Sequence, residues 1–588
     1  MTGSALPGKP ERRIYKLLKY IKKYLWIGLL GSLFMVGEVL IDLLQPRMMA
    51  NIVDNGILKG NESLVWSVGL RMIGVVALGG TCGIMSGVCV NICAQHFGND
   101  LRKACFGRIM NFSFEQTDDF TVGSLITRTT SDVTQVQNMV AQLIRGGVRC
   151  LMFFVAGSSF LLSMNVAFGR VLLCTAPIIL IEIAIVVKRS GPLFLLLQRR
   201  LDRVNSVIGE NVAGERVVKA FVQEKSEINR FEKSNAELVD TQFKVLILLS
   251  WMRPIMNIVL NIATVAVIYI GGREVAARNM EIGELMAAIT YLSQILNGMM
   301  MLAMIFQTIT RGVASGKRIK EVLASTPAIS DGGMIDVPLR GGSVEFKDVS
   351  FVYPGHRHEV LKNISIKVNP GETFAIIGAT GSGKSTLVKL IPRFYDTVKG
   401  SVLIDGEDVK SYRLETLRSR IAFVLQKSEL FSTTIRQNIL IGKEGASKTE
   451  TEKAARAAQA EEFILEQPQG YDTPVAEGGM SLSGGQKQRI AISRALIKDA
   501  EILVLDDSTS ALDLGTEARL FKALGEGYGK LTKIIIAQRI ATVMRADKIA
   551  VLDRGEIVGL GTHEELLNTN EVYREIYNSQ LKKGSESA

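Results

Sequence analysis

Long apolar runs bounded by charged or glycine-containing stretches fill the first half of the chain. Six are placed, at 24–44, 64–92, 145–164, 170–187, 252–271 and 282–309. Several reach the ~20 residues that cross a bilayer's hydrocarbon as a helix. The third and fourth are parted only by 164–169, a tight hairpin. An even number of spans returns the chain to the side it started from. The connections on that side, about 96–141 and 189–250, keep a helical pattern. They read as helices that leave the membrane, turn at 120–125 and 210–221, and come back, since a structureless loop of that size is uncommon.

From about residue 341 the pattern changes. Val344–Phe351 alternates in the β manner and leads to Tyr353, whose ring is placed to stack on a base. Thr373–Ile377 is a continuous apolar strand that feeds Gly378-Ala-Thr-Gly-Ser-Gly-Lys-Ser385, and a helix starts at Thr386. Between a strand and a helix this is a phosphate-binding loop. Its glycines allow backbone N–H groups to face an anion, Lys384 reaches the outer phosphates, and the Ser385 hydroxyl can hold Mg2+. The apolar strand 421–425 ends in Gln426, which can reach Mg2+ or water near the terminal phosphate. Ile502-Leu-Val-Leu-Asp506 supplies an acid for Mg2+, and Asp507 follows it where an attacking water would be polarised. Leu482-Ser-Gly-Gly-Gln486 opens another helix. Its hydroxyl and backbone donors are a second phosphate-binding element, suited to nucleotide held by another subunit.

Composition sharpens the membrane reading. The 588 residues exceed one ordinary core, and at least two domains are expected. The formal charge of +11 lies largely beside apolar segments, which favours positive-inside topology over nucleic-acid binding. Lys9, Arg12, Arg13, Lys16, Lys19, Lys22 and Lys23 are interleaved with apolar residues, as in an amphipathic helix on the cytoplasmic membrane surface; no cleavable signal peptide is expected. All three Trp lie in the first half. Six cysteines form no CxxC pair, and the four histidines form no metal cluster. Glu38, Asp42 and Glu182 fall in or near spans, where charge is costly. Glu38 is read either as a cavity or substrate contact or as a polar contact between helices. Met299, Met300, Met301, Met304 and Phe306 suit a lipophilic substrate or ordinary packing equally well.

Taken together, Gly378–Ser385, Leu482–Gln486 and Leu503–Asp507 behind six spans make the chain resemble the ABC exporter family, in the form with six spans fused to one nucleotide-binding domain. The resemblance covers almost the whole chain. It implies an α-helical membrane domain with six transmembrane helices fused to an α/β P-loop ATPase domain with an antiparallel β-subdomain and a helical subdomain. The expected division is 1–23 elbow, 24–325 membrane domain, 326–341 linker, 342–580 nucleotide-binding domain and 581–588 tail. Tyr353 matches the adenine-stacking aromatic. Gly378, Thr380, Gly381, Ser382, Gly383, Lys384, Ser385 and Thr386 fall on Walker A, Gln426 on the Q-loop, and Glu477–Gly479 where a coupling loop is expected. Ser483, Gly484, Gly485 and Gln486 belong to the signature, Asp506 is the Walker B acid, and Asp513 the D-loop acid. The implied ligands are ATP and Mg2+, the latter on Ser385, Gln426 and Asp506.

Two positions depart from the pattern. The residue after Walker B is usually Glu and here is Asp507; the switch position is usually His and here is Gln538. Asp507 is shorter by a methylene, and Gln538 has no titratable ring. The site built on this chain's Walker A is therefore expected to bind ATP and hydrolyse it poorly, with Asp507, Gln538 and Gln426 as its catalytic set. The intact signature is expected to complete a site on a partner that brings Glu, His and six further spans, forming a heterodimer in the cytoplasmic membrane. The expected cargo is an amphiphilic or multidrug-type compound taken from among membrane lipids, with lipid or peptide export as the alternative. A homodimer with two weak sites and an ATP-gated channel-like protein are further rivals, and no nucleic-acid partner is expected.

Overall fold

A computed structural model describes residues 18–329, 331 and 341–586. Most of the expected elbow, and residues 330 and 332–340 of the expected linker, lie outside the described residues. Two compact units emerge. Of the described residues, the first holds those up to Asn111 and Thr121–Ser325; the second holds Phe112–Phe120 and those from Thr326 onward.

Among the described residues of the first unit, six helices are long and apolar enough to cross a membrane: Lys19–Ile57, Glu62–Met110, Val122–Met164, Val166–Ala213, Glu224–Ala276 and Ile282–Ala324. They extend well past the apolar runs, because the polar segments between spans keep helical spacing. The expected hairpin at 164–169 is tighter than read. Only Asn165 interrupts the helices, and its Oδ1 accepts from the Ala167 N–H at 2.8 Å to start the next one. The connection after the fourth span runs without a break to Ala213, turns through a short helix at Glu215–Ala220, and returns along Glu224–Ser250.

Close approach and a few buried polar contacts hold these helices together, as expected where lipid supplies no hydrophobic drive. Ser86 Oγ donates to the Gly31 carbonyl at 2.8 Å. A Cβ on Gly31 would lie 2.9 Å from Val90 Cγ2, so only glycine allows that spacing. Tyr291, fully buried, donates to the Leu43 carbonyl at 2.7 Å. Arg318 holds buried Asp132 with two donors, one at 2.7 Å. Glu38 and Asp42 both pair with Arg149, at 3.3 and 3.5 Å, so Glu38 does make a polar contact between helices. Glu182 is buried, and neither carboxylate oxygen has a hydrogen-bond partner among the described residues.

The second unit is built on two sheets. Strands β1 (Val344–Phe351), β2 (Leu361–Val368), β4 (Lys399–Ile404) and β5 (Glu407–Asp408) form an antiparallel sheet in the order β2-β1-β4-β5. Strands β3 (Thr373–Ile377), β6 (Ile421–Val424), β7 (Ile502–Asp506), β8 (Thr532–Ile536), β9 (Lys548–Asp553) and β10 (Glu556–Gly561) form the order β10-β9-β3-β8-β7-β6, parallel except for β10. The parallel strands read as unbroken apolar runs because both faces are covered. Phe374, Ile376, Ile502, Val504, Ile534 and Ile536 pack with the antiparallel sheet. Their neighbours Ala375, Ile377, Leu503, Leu505 and Ile535 pack with helices on the other face.

Phe112–Phe120 belongs to this unit although it lies far away in sequence. The expected turn at 120–125 is therefore displaced. A short helix, Phe114–Asp119, precedes it, opened by a capping box of Ser113 and Gln116. Phe114 stacks on Phe394 with centroids 4.1 Å apart, and Tyr395 donates its hydroxyl to Asp118 at 2.5 Å. Gln116 donates to the Thr326 carbonyl at 3.3 Å.

Candidate nucleotide site

The C-terminal ends of β3 and β7 lie close together because both pair with β8. The loop after β3 wraps tightly. Gly383 has φ +102, and a Cβ there would lie 3.0 Å from the Val360 carbonyl oxygen; a Cβ on Gly378 would overlap the Leu552 carbonyl oxygen at 2.0 Å. Glycine at these two positions is therefore a packing requirement as well as a conformational one. Lys384 folds back over the loop, and its Nζ donates to the carbonyls of Gly378 and Ala379 at 2.8 Å each. Burial lowers its pKa against the opposing pull of Asp507 and Asp506. Ser385 Oγ donates to Asp506 Oδ1 at 2.7 Å, so two hard oxygen ligands meet at the loop's edge.

Asp506 is fully buried and Asp507 nearly so, and burial raises the pKa of both. Asp507 has left-handed backbone, φ +47, so the chain turns sharply as it leaves β7. Gln538 Nε2 donates to Asp507 Oδ2 at 2.8 Å, and Gln426 Nε2 reaches the same oxygen at 3.4 Å. The structure thus gathers Lys384, Ser385, Asp506, Asp507, Gln426 and Gln538 into one cluster.

Tyr353 stands beside it. Its hydroxyl is 3.0 Å from Thr386 Oγ1, and its ring meets Phe351 and Tyr395 edge-on. The signature segment stands apart. Ser483 caps the helix Gly484–Leu496, its Oγ accepting from the Gln486 N–H at 3.3 Å while Gln486 Oε1 accepts from the Ser483 N–H at 2.9 Å. Among the described residues no hydrogen bond joins 483–486 to 378–386. Asp513 caps the helix Leu514–Gly527. Glu477–Gly479 is a tight turn whose Gly478 carbonyl accepts from Lys487 at 3.0 Å.

Two residues passed over in the sequence support the switch loop. Gln580 Nε2 donates to the Gln538 carbonyl at 2.7 Å, while its Oε1 accepts from the Ile540 N–H at 2.7 Å. Glu517 is buried and accepts from Thr509 and Thr542, each at 2.7 Å, and from Arg539 at 3.2 Å. Neither lies in a compact motif, and no local signal marks them. The helix Phe114–Asp119 did carry one, the S-x-x-Q pattern Ser113–Gln116.

The model of the ABC transporter transmembrane region matches residues 28–300, and that of the ABC transporter matches 361–510. An uncharacterized ABC transporter ATP-binding protein of Bacillus subtilis, YfiB, is 40% identical over 97% of this chain and 100% of its own length. The chain is an ABC transporter. Similar to this transporter, too, is the ATP-dependent lipid A-core flippase of Pseudomonas aeruginosa, 34% identical over 97% of each chain. Among solved structures, a bacterial Atm1-family ABC exporter with ATP bound superimposes with a TM-score of 0.80 at 26% identity, over 95% of this chain and 99% of that one. The transporter is a multi-pass membrane ABC exporter whose ATPase domain is cytoplasmic and binds ATP.

Proposed function

We propose that the transporter is one half of a heterodimeric exporter of amphiphilic compounds, with a slow nucleotide site of its own and a signature that serves its partner's site. The observation that carries this reading is the capture of Asp507 Oδ2 by Gln538 and Gln426. An acid meant to polarise water must be able to turn toward it; two neutral amides on one oxygen anchor this short side chain. Gln538 can donate to a phosphate but cannot take up a proton. The separation of Ser483–Gln486 from the phosphate loop supports the view that each signature closes over nucleotide held by another chain.

In this reading Tyr353 stacks on adenine. The loop Gly378–Thr386, with Thr380, Gly381 and Ser382 among its donors, cradles the phosphates, and Lys384 exchanges its two carbonyl partners for phosphate oxygens. Ser385, Asp506 and Gln426 present the hard oxygen donors that suit Mg2+. When bound, the ion would offset phosphate charge. The division into 24–325 and 342–580, joined by 326–341, is retained as part of the proposal. A lipid substrate is the second reading, favoured by the lipid A-core flippases among the relatives.

The test compares ATPase activity of the chain alone with that of the chain co-expressed with a half-transporter carrying Walker B Glu and switch His, both in lipid. Activity confined to the pair, lost when the partner's Glu is replaced and only reduced by Asp507→Asn, is expected. Full substrate-stimulated turnover by this chain alone would overturn the heterodimer.

A further inference from the structure

A cavity of about 690 Å³ opens in the first unit, lined among others by Glu38, Gly83, Ile84, Gly87, Asn91 and Arg145. It is open-sided, so a bound molecule would lie along its wall rather than be enclosed. Two charges of opposite sign lie along it without neutralising each other. Glu38 Oε1 is 3.3 Å from Arg149, while Glu38 Oε2 has no hydrogen-bond partner among the described residues. Arg145 makes no ion pair among the described residues, although charges at membrane depth are normally matched.

The helix Glu62–Met110 sets the spacing. A Cβ on Gly83 would lie 2.9 Å from Glu38 Oε2, and one on Gly87 would lie 3.8 Å from Arg145 Nη1. The carboxylate and the guanidinium therefore rest against glycines one helical turn apart, ~6 Å along the axis. A side chain at position 83 would push the Glu38 carboxylate off the wall, whereas a Cβ at position 87 would meet Arg145 only at ordinary contact distance. Asp42, bound to the other side of Arg149 at 3.5 Å, takes up part of that cation and leaves Glu38 incompletely paired.

We propose that this cavity is a headgroup site for a zwitterionic amphiphile. The ammonium approaches Glu38, the phosphate or carboxylate approaches Arg145, and the chain lies along Ile84 and the neighbouring apolar surface. An ethanolamine phosphate carries both charges on one headgroup. A purely anionic head would meet Glu38, and a purely cationic one would meet Arg145. The site thus selects by refusing either single charge. This inference rests on the amphiphile reading above and narrows it to one headgroup class.

The test is equilibrium binding of radiolabelled probes to the full-length transporter in lipid nanodiscs. The probes are a lysophosphatidylethanolamine, a lysophosphatidylglycerol and an alkylamine of equal chain length, and chain-free glycerophosphoethanolamine. Wild type is expected to bind the zwitterionic amphiphile about 10-fold more tightly than either singly charged one, the low end for charged hydrogen bonds. Glu38→Gln should erase the preference over the anionic probe, and Arg145→Gln the preference over the cationic probe. Because Glu38 also pairs with Arg149, Arg145→Gln is the variant that keeps the test decisive if Glu38→Gln misfolds. Equal affinity for all three amphiphiles, or variants that weaken all three alike, would overturn the headgroup site and leave the amphiphile reading standing. Binding of glycerophosphoethanolamine as tight as that of its acylated form would keep the zwitterion site and remove the amphiphile.

Discussion

If this chain's nucleotide site is slow, as proposed above, lengthening the acid and supplying the ring, Asp507→Glu with Gln538→His, should awaken it. In the native chain Asp507 Oδ2 sits 2.8 Å from Gln538 Nε2. One added methylene moves the carboxylate outward by about 1.5 Å. It cannot keep that amide contact without displacing the side chain at 538, and histidine there removes the competing NH2. A 1 Å misplacement of a reacting group costs about 10²-fold. Correcting it should therefore raise hydrolysis at this site about 10²-fold, or about 2.7 kcal/mol of barrier. The assay is single-turnover phosphate release from the pair, with the partner's Walker B Glu neutralised so that only this site reports. An increase below about threefold, with ATP binding unchanged, would show that carboxylate reach is not what slows the site and would refute the reasoning.

Three further outcomes are expected. Lys384→Ala should weaken ATP binding by about 10-fold or more, measured by equilibrium titration with a fluorescent nucleotide, because a charged donor worth about 1.5–3 kcal/mol is lost. Phe114→Ala removes the 4.1 Å stack on Phe394, a contact worth about 0.5–1.5 kcal/mol; vesicle transport should fall while nucleotide binding stays level. Asp507→Asn should raise the melting temperature of the nucleotide-free protein. Burial raises this acid above its ordinary 3.8, so the folded state binds more protons than the unfolded one just above that pH. The acid therefore costs stability increasingly as pH rises through that window. The gain from Asn should grow as pH rises above 3.8 and vanish on acidification below it, where both states are protonated. A pH-independent gain would contradict this account.

The parts of the molecule legible in the sequence are those where one physical requirement acts over a short stretch. A span must be apolar for its whole length, so the six helices show through as runs. The phosphate loop must be tight at Gly378 and Gly383, so its glycines stand in fixed register. Contacts between distant segments leave no such mark. Gln580 finds Gln538 across 42 residues, and Glu517 reaches Thr542 across 25. Polar surfaces of the long helices also blurred the span ends, because helical spacing continues outside the membrane as it does within. The amide capture of Asp507 was invisible for a different reason. The substitutions at 507 and 538 were evident, but that Gln426 joins Gln538 on one oxygen depends on side-chain geometry.

The membership of Phe112–Phe120 in the second unit has a practical consequence for anyone who cuts the chain at the apparent joint. A fragment starting at Thr326 would carry Phe394 without the Phe114 ring that stacks on it, and Tyr395 without its Asp118 acceptor. What looks in the sequence like a freestanding ATPase would leave that aromatic seat uncovered. Supplying 112–120, as a synthetic peptide or grafted ahead of the fragment, would cover that seat again.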